Sequence, residues 1–150
     1  MAELIVQHKK VETVFELLGD SENDITKSIA WGFINCPLLL KRIISLLLKI
    51  EINPADVIIK YQEYEKDKGI TDLELTDNNL FYIIIEAKRG WILPQEEQLK
   101  LYSQRKEFHE SPMKYKAIVS MSECSFEYAN NNLPKIQGEN ILHLPWKTIC

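Results

Sequence analysis

Two acidic residues and a lysine are the side chains of this sequence with the clearest chemical potential. Asp72 lies in an alternating run at residues 70–75, and Glu86 and Lys88 follow a β-branched and aromatic run at residues 80–85. Between the runs, Asp-Asn-Asn at residues 77–79 tolerates the left-handed backbone of a tight turn. The pattern therefore predicts a β-hairpin.

A hairpin loop at residues 78–80 would place Asp72 opposite Glu86. Directly opposed side chains have Cβ atoms about 4.5–5.5 Å apart, and two carboxylates at that separation repel each other unless a proton or a cation neutralises them. A cluster of oxygen ligands suits a hard cation such as Mg²⁺. Lys88 shares the strand face of Glu86, because side chains two residues apart on a strand point the same way.

The element after the hairpin is predicted to be a helix with a polar inward face. Pro94 is a suitable first residue, and acidic residues in the first turn match the helix dipole. Steps of 100° per residue put one set on the solvent side: Glu96, Lys100, Ser103, Glu107 and Glu110. The opposite side, flanked by Leu99 and Leu101, is centred on Gln98, Tyr102, Arg105 and His109. These polar groups are expected to face the carboxylates, unless Gln98 and Tyr102 only satisfy an edge of the core.

Thr71-Asp72 followed by Glu86-Ala87-Lys88 resembles the motif of the PD-(D/E)XK nuclease superfamily, with Thr71 in the place of the proline. Gln98 and Tyr102, four residues apart, resemble the Gln-x-x-x-Tyr signature of its RecB-like branch. A lone Glu-x-Lys triplet is common on exposed strands, and the second motif, in the right order and spacing, strengthens the resemblance. The resemblance implies an α/β fold with a restriction-endonuclease-like αβββαβ core, a central mixed sheet flanked by helices, over about residues 22–146.

The activity implied by the resemblance is Mg²⁺-dependent hydrolysis of nucleic-acid phosphodiester bonds, with Mn²⁺ able to substitute. DNA is favoured over RNA by the resemblance alone. The implied metal ligands are Glu22, Asp72, Glu86 and the carbonyl of Ala87. Lys88 would orient the attacking water and stabilise developing charge. Gln98 and Tyr102 would position the substrate or Lys88, and Arg89 and Arg105 are the expected phosphate-binding residues. The alternative is a catalytically silent nucleic-acid-binding or protein-interaction module of the same fold.

Glu22 has two interpretations. Ser21-x-x-Asp24 before an apolar run predicts a helix N-terminus with a capping box, where Glu22 would complement the helix dipole. The resemblance implies instead that a glutamate at this place binds the metal, directly or through water. Asp24 is the second candidate for that role.

Composition limits the alternatives. A chain of 150 residues with 45% hydrophobic content suits one domain, and an excised amino-terminal domain of a longer chain is left open. The net charge of −4 argues against coating nucleic acid through bulk positive charge. The three cysteines lack metal or disulfide spacing, which favours a reducing, cytoplasmic location. The start lacks a signal peptide, and the apolar tract at residues 37–50 is too short to span a bilayer. No membrane partner is expected; a homodimer or a partner subunit is left open.

The remaining pattern predicts the other elements. Helices are expected at residues 11–18, from Ile25, from Pro37 and at residues 123–130. Strands are expected at residues 57–61, 116–120 and 141–144.

Overall fold

The computed structural model describes residues 4–6, 9–11 and 21–149. Strands β1 (Leu4–Val6) and β2 (Lys9–Val11) pair with each other as an antiparallel hairpin. The helix predicted at residues 11–18 lies, from residue 12 onward, outside the described residues.

The helices and strands of the main body follow in this order: α1 (Glu22–Asn35), α2 (Pro37–Leu48), β3 (Ile58–Tyr61), β4 (Tyr64–Glu65), β5 (Gly69–Ile70), β6 (Leu73–Thr76), β7 (Phe81–Ala87), α3 (Glu96–Ser103), α4 (Lys106–His109), β8 (Tyr115–Ser122), α5 (Phe126–Asn132) and β9 (Ile141–Pro145). Short 3₁₀ turns occur at Pro54–Asp56 and Trp146–Thr148.

A mixed sheet of five strands in the order β3-β6-β7-β8-β9 forms the centre of the fold. The pairs β3/β6 and β6/β7 are antiparallel, whereas β7/β8 and β8/β9 are parallel. The chain from β7 to β8 passes through α3 and α4, and the chain from β8 to β9 passes through α5, as parallel pairing requires a crossover. The predicted α/β class, with a central mixed sheet flanked by helices, is confirmed.

Both faces of the sheet are buried, which explains why β7 is an uninterrupted apolar run before Glu86. One face packs against α1 and α2 through a core that includes Phe33, Ile44, Leu75 and Ile83. The other face packs Ile84 against Leu99, Tyr102 and Phe108 from α3 and α4. Glu86 and Tyr82 are on this second face by strand alternation with Ile84.

Sequence signals predicted the starts of α1 and α2, whereas α3 begins at Glu96 and not at the predicted Pro94. Ser21 caps α1 in a capping box with Asp24, as predicted, and Pro37 is at the first turn of α2. Among the described residues, no single helix is long and apolar enough to cross a membrane; α1 and α2 meet that test only as a pair, and they are bent by 107° at their junction.

The predicted helix after Pro94 is broken in two, and this corrects its helical wheel. α3 ends at Ser103, and α4 begins at Lys106 after Arg105 adopts an extended conformation (φ −59°, ψ 133°). The break changes the phase of the later residues, so Phe108 is buried while His109, expected to face inward, is exposed. Ser103, expected on the solvent side, is also buried.

The alternating run at residues 70–75 is divided rather than forming one strand. Ile70 belongs to a small hairpin with Tyr64, whose turn contains Asp67 and Gly69 at positive φ, and Leu73 begins the strand of the main sheet. Thr71 and Asp72 form the bend between them, held by Thr71 N–H donating to the carbonyl of Glu63 at 3.0 Å. This bend brings Asp72 to the end of the central sheet.

Candidate functional site

The register of the β6/β7 hairpin places Asp72 opposite Glu86. Leu73 pairs with Ile85 and Thr76 with Tyr82, so the next position on each side opposes the two acidic residues. The Asp72 side chain is also tied to the end of β7, because Ala87 N–H donates to Asp72 Oδ2 at 2.7 Å. The hairpin predicted from the alternation is confirmed in its register.

Glu86 is a buried carboxylate, with a side chain 4% exposed. Its Oε1 accepts from Gln98 Nε2 at 2.7 Å and is 2.8 Å from Lys88 Nζ. Its Oε2 accepts from the Tyr102 hydroxyl at 2.6 Å. An ionised carboxylate has about four lone-pair sites, so these three donors hold Glu86 in one orientation and leave capacity for one more ligand.

Lys88 is held from both its side chain and its backbone. Its N–H donates to the Met121 carbonyl at 2.8 Å, and its own carbonyl accepts from Trp146 Nε1 at 2.9 Å. Burial lowers the pKa of Lys88, but the hydrogen bond to Glu86 and the charges of Glu86 and Glu22 outweigh it, and the net shift is upward. Lys88 therefore stays an ammonium at neutral pH.

Glu22 reaches this cluster from the N-terminus of α1. Its Oε1 lies 3.8 Å from Lys88 Nζ, and its Oε2 accepts from the Arg89 backbone N–H at 2.8 Å. Glu22 thus bridges α1 to the end of β7, which goes beyond complementing its own helix dipole. Asp24 is engaged elsewhere, since Ser21 in the capping box and Lys27 at 3.7 Å are its partners.

Gln98 and Tyr102 both point from α3 to Glu86, as the spacing on the helix predicted. The Gln98 amide also donates to the Tyr102 oxygen at 3.2 Å, and the Tyr102 hydroxyl lies 2.9 Å from the carbonyl of Ile70. The hydroxyl has one proton, so it serves either Glu86 or Ile70 at a given moment. The two side chains position Glu86 rather than the ammonium of Lys88.

Asp72 is an acidic residue of the site whose pKa is shifted. Burial, and then the nearby charge of Glu86, raise the pKa of Asp72 to about 7, against the opposing effects of Ala87 N–H and Lys88. Burial and the charge of Glu86 also raise the pKa of Tyr102, which keeps its hydroxyl protonated. Both groups therefore hold their protons more tightly than they would in water.

Arg105 is not placed to meet a substrate phosphate, which corrects the expectation from sequence. Its side chain is buried, with Nε 3.3 Å from Glu74 Oε1, and its other nitrogens donate to the carbonyls of Gly69 and Glu63 at 3.0 and 3.2 Å. Burial raises the pKa of Glu74, while Arg105 opposes that shift. Arg89, by contrast, is exposed beside Lys88.

The side chains of the site supply only some of the oxygen ligands that a hard cation needs. Within residues 4–6, 9–11 and 21–149, no three histidine, cysteine or acidic side chains are grouped closely enough to hold a metal ion. Mg²⁺, however, is usually bound by one or two carboxylates, with waters and substrate phosphates completing its shell. Asp72 and Glu86 match that pattern, and a cation between them would oppose the two effects, burial and the charge of Glu86, that raise the pKa of Asp72. The carbonyl of Ala87 stays a predicted ligand.

Two groups of the site were missed by the sequence analysis. Trp146 holds the backbone of Lys88 from a position 58 residues later in the chain, and the carbonyl of Ile70 holds Tyr102. A backbone carbonyl has no residue-type signal. Trp146 offered only the weak signal of a tryptophan directly after the last predicted strand.

No protein-family model, no curated protein and no solved structure matches this chain.

Proposed function

We propose that this chain is a metal-dependent nuclease of the PD-(D/E)XK superfamily, with a restriction-endonuclease-like core, that hydrolyses phosphodiester bonds of nucleic acid, with DNA as the expected substrate. The observation that carries the proposal is the meeting of Asp72, Glu86 and Lys88 at the ends of two neighbouring strands, with Lys88 Nζ 2.8 Å from Glu86. The order of helix, three antiparallel strands, helix and parallel strand supports the same family.

The proposed metal ligands are Asp72, Glu86 and the carbonyl of Ala87, with Glu22 acting directly or through water. Bound Mg²⁺ or Mn²⁺ would supply Lewis-acid polarisation of the phosphate and a lower pKa for its bound water. Asp72 and Glu86 contribute the negative charge that attracts the ion, and burial makes that attraction stronger than in water.

Lys88 is the proposed catalytic cation. Its raised pKa keeps it protonated, so it cannot serve as a general base at neutral pH. An ammonium beside the scissile phosphate would instead stabilise the negative charge that develops on the phosphate oxygens. Backbone contacts to Met121 and Trp146 fix the base of this flexible side chain.

Gln98 and Tyr102 are proposed as positioning residues that act through Glu86. Each donates to a different oxygen of that carboxylate, at 2.7 and 2.6 Å, which fixes the carboxylate plane. Arg89, exposed next to Lys88, remains the proposed contact for a phosphate of the substrate.

The alternative, a catalytically silent nucleic-acid-binding or protein-interaction module, is favoured by one observation. Glu86 already has three donors, from Lys88, Gln98 and Tyr102, so its buried charge is satisfied by the protein itself. In that case Lys88 would hold the fold and have no role in chemistry.

Replacing Lys88 by alanine separates these two functions. In the enzyme, Lys88→Ala should abolish most cleavage of single-stranded, double-stranded and branched DNA with Mn²⁺ while leaving the protein folded. Lys60→Ala is the matched control, because Lys60 pairs with Glu107 at 3.0 Å and its side chain is 29% exposed, against 27% for Lys88. Equal cleavage by Lys88→Ala and wild type, or no cleavage by either, would contradict the proposed catalytic role.

A further inference from the structure

An exposed aromatic pair lies just beyond the candidate site. The rings of Trp91 and Tyr128 meet edge to face, with centroids 5.2 Å apart, and the two residues are 59% and 41% exposed. Two aromatic rings in contact at the surface form a contiguous apolar patch, which is more informative than a single exposed side chain. We refer to Trp91 and Tyr128 as the aromatic pair.

The chain geometry keeps this pair close to Lys88. Three residues span at most about 11 Å, so the Cα atom of Trp91 cannot lie further than that from the Cα atom of Lys88. Gly90, with φ +71°, turns the chain between them, and its carbonyl accepts from Glu123 N–H at 3.1 Å. That hydrogen bond ties the segment carrying Trp91 to the residues before α5, which carries Tyr128.

The charges around the pair are unfavourable for a duplex. Glu123 and Glu127 are exposed close to Tyr128 in the chain, and Glu22, Asp72 and Glu86 lie around Lys88. Affinity for duplex DNA depends mainly on neutralising several phosphates with cationic side chains, and a chain of net charge −4 has little excess of them. Stacking on an aromatic ring adds affinity that only an unpaired base can supply, because the bases of a duplex are already paired and stacked on each other.

We infer that the aromatic pair is a stacking platform for an unpaired base of the nucleic-acid strand whose phosphate lies at Lys88. The substrate class is therefore a single strand, an overhang or a frayed end rather than an intact blunt duplex. This inference rests on the proposed nuclease function and adds its substrate selectivity. Trp91, the more exposed of the two, supplies the π-surface, and Tyr128 contacts its ring in an edge-to-face arrangement.

A binding experiment without divalent metal tests the platform separately from catalysis. The probes are two DNA hairpins with the same stem, one blunt and one with an unpaired overhang that carries 2-aminopurine, in buffer with EDTA. Wild type should bind the overhang more tightly and quench 2-aminopurine. Trp91→Ala should lose about tenfold in affinity for the overhang, with little change for the blunt hairpin, and Trp91→Phe should recover most of it.

Trp31→Ala is the matched control, because Trp31 is also exposed, at 52%, on the side of the molecule formed by α1. It should bind both hairpins as wild type does. Equal affinity of wild type and Trp91→Ala for the overhang, without quenching, would overturn the inference.

Cleavage assays with Mn²⁺ on the same hairpins distinguish the two failures. If wild type cleaves both hairpins equally and Trp91→Ala changes nothing, the nuclease function stands and the platform is wrong. If wild type neither binds nor cleaves either hairpin, the proposed function fails and the inference fails with it; the aromatic pair would then be assigned to contact with another protein.

Discussion

At the scale of single residues, Glu86 is the side chain on which the other groups of the site converge. Gln98 and Tyr102 fix its two oxygens and Lys88 balances its charge. Burial, and then the charge of Glu86, raise the pKa of Asp72. Substitutions that remove one hydrogen-bonding atom should therefore show how much each group contributes to positioning Glu86 and how much to folding stability.

Tyr102→Phe removes the hydroxyl that donates to Glu86 and keeps the ring in the core. We expect a stability loss of about 1–2 kcal/mol, measured by urea denaturation, because one hydrogen bond to a charged group is lost. Turnover should fall more than this stability loss explains, since Glu86 loses its orientation. Tyr82→Phe is the control: its hydroxyl contacts Glu74 and Glu107 at 3.3 Å, away from Lys88, so turnover should be unchanged. Equal turnover of both variants would contradict the positioning role.

Asp72 should make the metal-free protein less stable as the pH rises. Its pKa is about 7 in the folded protein and about 3.9 in an unfolded chain, so the folded state holds the proton more tightly. This contribution to stability is complete below about pH 4 and is lost as the pH rises through about 7, a change on the order of 4 kcal/mol.

Melting temperatures of the metal-free protein from pH 5 to 8 measure this effect. The downward slope should be smaller in Asp72→Asn, which has no proton to lose. In Asp24→Asn the slope should match wild type, because the hydrogen bond from Ser21 lowers the pKa of Asp24 and moves its titration below this range. The same slope in Asp72→Asn and wild type would show that another group is responsible.

At the scale of elements, Arg105 joins the helices to the small β4/β5 hairpin. It lies at the break between α3 and α4, and it donates to the carbonyls of Gly69 and Glu63 while pairing with Glu74. The break allows the side chain to turn inward to these carbonyls. The hairpin that Arg105 holds also carries the Ile70 carbonyl to Tyr102.

Arg105→Ala should therefore destabilise the fold rather than weaken substrate binding alone. Removing one partner of a buried ion pair typically lowers stability by about 3–5 kcal/mol, and here it leaves Glu74 unpaired. The double variant Glu74→Leu with Arg105→Met should recover part of this loss, since neither charge remains. Urea denaturation measures both. Wild-type stability of Arg105→Ala combined with weaker DNA binding would restore the phosphate-binding role expected from sequence.

At the scale of the whole molecule, the two-layered core is built around a sheet whose strand ends carry the acidic pair. Residues of β7 and α3 contact the pair directly, and Glu22 of α1 reaches it through Lys88. A ligand that bridges Asp72 and Glu86 would therefore join several elements at once. Its binding should be seen in the unfolding of the entire domain.

Millimolar Mg²⁺ or Mn²⁺ should raise the melting temperature at pH 8, where Asp72 is ionised. A metal at a hundredfold excess over its Kd adds about 2.7 kcal/mol, and in a domain of this size each kcal/mol shifts Tm by about 2–4 °C. Asp72→Asn and Glu86→Gln should reduce the shift. Glu107→Gln should keep it, because that carboxylate lies beside Lys60. Calorimetry that detects no metal binding, with or without nucleic acid, would contradict a metal site.

The sequence by itself determined those parts of the site that depend on contacts between residues close together in the chain. Strand alternation and a turn sequence set the opposition of Asp72 and Glu86, because a hairpin's register follows from its loop. Helical spacing set the common direction of Gln98 and Tyr102, and the Ser21 cap began α1.

Only the tertiary structure decided which distant residues complete the site. Glu22 meets Arg89 across 67 residues, and Trp146 meets Lys88 across 58, contacts that depend on how helices and strands pack and that no local pattern encodes. The same holds for Arg105: an arginine near a helix end looks like a surface cation until packing ends the helix early and offers it a buried carboxylate. Sequence periodicity assumes that a helix continues, and tertiary contacts decide where it stops.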